Sequence, residues 1–159
     1  MPSPKYPLKP LLEHRERTVD DQAAELGRAV RAHETAEGAR LRAERVRNEA
    51  EERAAAVKRE EAERLERGEL RAADLAQASA WEVSAQAEIA RLEQAALAAE
   101  TNVTRARDAE ELARRELAQK MAERDVVAKD AARFDARVKA RTMLAEEEAA
   151  EEAYRGGDR

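Results

Sequence analysis

The chain predicts an all-α fold, a long antiparallel two-helix coiled-coil hairpin with an overhanging C-terminal helix. Three observations carry that expectation. All four prolines fall within the first ten residues, at Pro2, Pro4, Pro7 and Pro10. Proline costs a helix interior ~3 kcal/mol, so the span from Leu11 to Arg159 is free to form very long helices. A single central glycine, Gly68, stands where such a span would turn, and a heptad of apolar residues runs through the second half.

Composition agrees with this outline. Of 159 residues, 41% are charged and only 3% aromatic, and alanine, at 38 residues, dominates the apolar share. That leaves too little bulky material for a globular core and matches the make-up of long helices. Disorder is the competing reading of such polarity, but disordered chains lack a sustained apolar period. A net charge of −5 argues against nucleic acid as a partner. Cysteine is absent, which excludes disulfides and cysteine-ligated zinc. No apolar run has the length of a signal-peptide core or a membrane span, so a cytoplasmic protein without membrane insertion is expected.

The elements follow in order. Residues 1–10 are expected as an extended Pro-rich arm. Pro4, Pro7 and Pro10 recur every third residue, which lines them up on one face of a polyproline II helix. Helix one is expected over 11–66. Its seam reads Leu12, Val19, Ala23, Leu26, Val30, His33, Ala36, Ala39, Ala43, Val46, Ala50 and Val57. Two successive steps of three at His33–Ala36–Ala39 predict a stammer, an overwound stretch of supercoil, with Gly27 and Gly38 softening the helix nearby.

A turn is expected at about 67–72. Gly68 suits the left-handed position that ends a helix, and Arg71-Ala72-Ala73-Asp74 has capping-box spacing without the Ser or Thr. The alternative is one continuous helix through Gly68, which would then have to dimerise.

Helix two is expected over about 73–153. Alternate steps of four and three from Ala85 reach Ala145 through eighteen positions, of which fourteen are apolar against about eight expected from the 43% background. Backwards, the seam takes in Ala78 and Leu75. Matching the shorter first helix leaves residues 128–153 overhanging, with Tyr6 and Leu8 of the arm placed to lie along them. The glutamates at 146–148, 151 and 152 oppose the helix dipole, so this end is expected to fray. Residues 155–159 read as a flexible tail.

The opening Lys5-Tyr6-Pro7-Leu8-Lys9-Pro10-Leu11-Leu12-Glu13-His14-Arg15-Glu16-Arg17 resembles the start of the bacterial flagellar export protein FliJ and its injectisome counterpart, the YscO family. The stretch from Gly68 to Leu75, followed by Trp81 and Ile89-Ala90-Arg91-Leu92, is similar to that family's turn and early second helix. Arg71 departs from the pattern, where a small hydroxyl residue would cap better. The resemblance implies a hairpin like the central stalk subunit of rotary ATP synthases. It also implies a hexameric export ATPase as partner for the terminal end, the cytoplasmic domain of the membrane export gate as partner near the turn, and export chaperones as further partners. By position, it makes Leu8, Leu11, Leu12, Phe134, Val138, Met143 and Leu144 candidates for contact with the ATPase ring. Trp81, Ala85 and Leu92 are the candidates for the gate.

Plainer readings stand beside these. Trp81 can fold over the hairpin near Val57, and Phe134 and Val138 are seam residues first. His33 is a polar seam residue with no second ligand spaced to make a metal site. Lys120 and Arg124 are expected to snorkel or to pair with helix one. No phosphate loop, cysteine or clustered histidine suggests catalysis, and no cofactor is implied. Two other functions compete with a stalk at the inner-membrane export apparatus: a structural coiled-coil spacer, and an escort chaperone for secreted substrates.

Overall fold

The computed structural model describes residues 4–156. The outermost residues of the expected arm and tail, including Pro2, lie outside this range. The fold is all-α: helix α1 spans Lys9–Glu66, helix α2 spans Ala72–Gly156, and they pack against each other as a hairpin. There is no strand among the described residues. The chain forms two compact units, one built from residues up to Leu26 with those from Leu112 on, the other from Gly27–Glu111. They are called here the terminal unit and the turn unit.

The ten-residue polyproline arm is not formed. Among the described residues of the arm, 4–6 have no regular structure, a turn follows at Pro7-Leu8, and α1 is already helical at Lys9. The Lys9 amide donates to the Tyr6 carbonyl at 3.3 Å, and the Leu12 amide to Leu8 at 3.0 Å. Pro10 therefore sits in the first helical turn, where its missing N–H is one the helix would leave unbonded anyway.

The turn is a real break, which excludes the continuous-helix alternative. Gly68 has φ 69°, and its amide donates to Leu65 while the Glu69 amide donates to Arg64, both at 3.0 Å. These are the paired bonds of a Schellman ending. Helix α2 begins one residue earlier than expected. Asp74 accepts a hydrogen bond from the Arg71 amide at 2.8 Å. This is half of a capping box, so Arg71 caps through its backbone.

In α2 the predicted seam is the shielded stripe. Every predicted position from Ala85 to Val138 is at least half-buried, with Ala96 and Ala113 among the few buried residues. The stripe stops there, since Arg141 and Ala145 are exposed. Ala78 is shielded as the seam predicts, whereas Leu75 is exposed and Asp74 is shielded in its place.

In α1 the stripe differs from the apolar reading. Positions 12, 15, 19, 22, 26, 29, 33, 36, 40, 43, 47, 50, 54, 57, 61 and 64 are shielded and alternate in threes and fours, with 18, 27, 30, 37, 38, 39 and 44 shielded beside them. Ala36 and Ala39 of the expected stammer both lie in the unbroken shielded run 36–40. Ala23 and Val46 are exposed, while Arg15, Gln22, Arg40 and Arg47 occupy seam positions. The long stems of these side chains cover the partner helix while their heads reach polar groups. A pattern of apolar residues alone therefore missed them.

Ion pairs set an antiparallel register within each unit. In the terminal unit, Arg15 Nη1 donates to Glu123 Oε2 at 2.5 Å and Gln22 donates to Glu116 at 3.0 Å. In the turn unit, His33 Nδ1 lies 2.6 Å from Glu110 Oε2, and Lys58 pairs with Glu82. Lys120 and Arg124 do not cross to α1. They bond to Glu123 and Asp125 on their own helix.

Candidate partner-binding surfaces

The terminal unit holds every residue assigned to the ATPase ring. Tyr6 is its pivot. Its hydroxyl donates to Asp130 Oδ2 at 2.7 Å, close to the Val127 carbonyl, and its ring meets Phe134 with centroids 5.5 Å apart, tilted by 57°. That geometry is a favourable aromatic pair. The hydrogen bond to Asp130, together with burial, pushes the Tyr6 phenol up to about 12. The sequence placed Tyr6 along the overhang. It did not reveal Asp130 as the acceptor, because no periodic signal marks that residue among so many carboxylates.

The clamp changes what the ring candidates offer. Phe134 is half-covered by Tyr6, while Val138 and Leu12 are half-buried on the seam. Leu11 is 37% exposed, and Leu8 is 45% exposed beside the Tyr6 clamp. Met143 and Leu144 are 61% and 59% exposed. Every described residue after Val138 is exposed, and α2 continues helical to Gly156 rather than ending at 153. The open surface of this unit is therefore the helical tip, with Met143 and Leu144 as its bulky apolar side chains near the middle.

The turn unit holds the gate candidates, which do not form one open stripe. Ala85 and Leu92 are half-buried on the α2 seam, where they pack towards α1. Trp81 alone is open, at 38% exposure, and shares a groove with Val57, Leu70, Asp74 and Ala78. The indole thus both folds over the helix pair near Val57 and keeps a free edge. His33 bridges Glu110 and Glu37, at 2.6 and 3.9 Å, as an interhelical link. Glu110 is only 6% exposed.

No protein-family model, curated protein or solved structure matches this chain. No described helix is long and apolar enough to cross a membrane.

Proposed function

We propose that this chain is a non-enzymatic stalk component of a bacterial type III protein export apparatus, flagellar or injectisome. In this reading it binds and stimulates a hexameric export ATPase and links it to the cytoplasmic domain of the export gate. That role would place it in the cytoplasm, peripheral to the inner membrane. The observation that carries the reading is the unpartnered tip of α2 after Val138, presenting Met143 and Leu144. It lies in the same unit as the family-like opening Lys5–Arg17. A helical end without a partner helix, with Met143 and Leu144 exposed among its charges, suits insertion into a ring's pore, and the exposed edge of Trp81 suits a second contact.

The test is hydrolysis and ring assembly of the cognate ATPase with and without this protein. Stimulation is expected from the full chain and not from a chain ending at Val138. Absence of both binding and stimulation overturns the stalk reading and leaves a plain coiled-coil spacer.

A further inference from the structure

The tip of α2 carries its charges in two blocks of opposite sign. Arg133, Arg137, Lys139 and Arg141, with Asp135 among them, precede Met143-Leu144, and five glutamates between Glu146 and Glu152 follow. Within one helix this order is unfavourable. Arg133, Arg137 and Arg141 repel at i,i+4 spacing, as do Glu147 with Glu151 and Glu148 with Glu152, and the acidic block faces the negative end of the helix dipole. Among the described residues none of these side chains joins an ion pair or hydrogen bond.

The same segment has a second apolar stripe, distinct from the seam that faces α1. Ala136, Ala140, Met143, Ala150 and Tyr154 follow alternate steps of four and three, with Glu147 the one polar member. Tyr154 is 86% exposed. Because side chains two positions apart point to nearly opposite sides of a helix, this stripe turns away from Phe134 and Val138, and the Tyr6 clamp leaves it clear.

We propose that this tip, when no ring holds it, binds a second copy of the same chain, tip against tip and antiparallel. A two-fold axis at Leu144 satisfies both patterns at once. Leu144 meets its own copy, Ala140 meets Ala150, Ala136 meets Tyr154, and Arg137 of each chain faces Glu151 of the other. Arg137 of each helix thus gains an opposite charge on its partner, while Glu147 of the stripe falls opposite Met143. The overlap begins at Ala136, on the face turned away from the shielded Phe134 and Val138, so neither hairpin has to open. An interface of about five turns is small by the standards of stable complexes. The dimer is accordingly concentration-dependent and salt-sensitive.

The test is sedimentation equilibrium of the full chain alone, so its outcome is independent of any ATPase. From about 10 µM to about 1 mM, the mass should rise from 17.8 kDa towards twice that value. Arg137→Glu and Glu151→Arg should each weaken association about tenfold, and the double variant should restore it. Both positions are exposed and off the α1 seam, and circular dichroism checks that helicity is kept. A wild-type chain that stays monomeric throughout overturns the proposal and leaves the tip to a partner of different chemistry. A dimer that neither single reversal weakens also overturns it, because the contact then lies elsewhere.

Discussion

Tyr6 is the residue whose protonation reports the terminal unit. Its phenol is raised to about 12 because the neutral form donates to Asp130. The fold therefore favours the protonated phenol, so this contribution is complete below the ordinary value of 10.0 and is lost as pH rises through about 12. In a Tyr154→Phe background, absorbance titration should show Asp130→Asn bringing the Tyr6 transition down towards 10. Glu123 works at the other end of the scale. The hydrogen bond from Lys120, with help from Gln119 and Arg15, holds its carboxyl below the ordinary value although burial opposes this. Its stabilising effect is fully present above the ordinary carboxylate value and is lost as pH falls from there through the lowered folded-state value. Glu123→Gln should therefore flatten the loss of thermal stability in acid, measured as midpoint against pH. At the His33–Glu110 link, His33→Ala removes a partner from a nearly buried carboxylate and should cost about 1–3 kcal/mol. Replacing both residues with leucine should recover most of that loss in chemical denaturation.

At the scale of elements, the turn is a backbone device. A Cβ at Gly68 would meet nothing within 4 Å, so the cost of Gly68→Ala lies in the left-handed φ alone, about 1 kcal/mol. Asp74→Ala removes the side-chain half of the α2 start and should cost about 0.5–1 kcal/mol in the same measurement. The two helices were unequally legible. In α2 the apolar seam is the packed seam, since Ala, Val, Leu and Ile recur with little interruption. In α1 the packed stripe recruits Arg15, Gln22, Arg40 and Arg47, which a hydrophobic period cannot register. Arg15 shows the penalty of such recruitment, because its Nε is buried without a hydrogen-bond partner. The start of α1 was misread for a similar reason. Three prolines at period three looked like polyproline II, whereas Pro10 is compatible with the first turn of a helix and the Tyr6 clamp fixes the chain just before it. Of the candidate surfaces, the α2 tip was legible as an overhang and Trp81 as a lone aromatic. The inward placement of Ala85 and Leu92 follows from the seam itself.

For the whole molecule, residues after Val138 are not part of the packed seam. A chain ending there should lose helical signal in proportion to its length while keeping its unfolding midpoint, which would separate loss of function from loss of fold. Alanine and paired charges repeat along both helices with few unusual residues, so sequence alone distinguishes this chain poorly from other helical rods. The single Trp81 lies in the turn unit, and both tyrosines, Tyr6 and Tyr154, lie in the terminal unit. The protein thus carries its own pair of optical probes, with indole emission following one unit and phenol absorbance following the other. If the two signals lose their native values at the same temperature, the units melt as one cooperative system. If they part, each unit has a stability of its own, readable without adding a label.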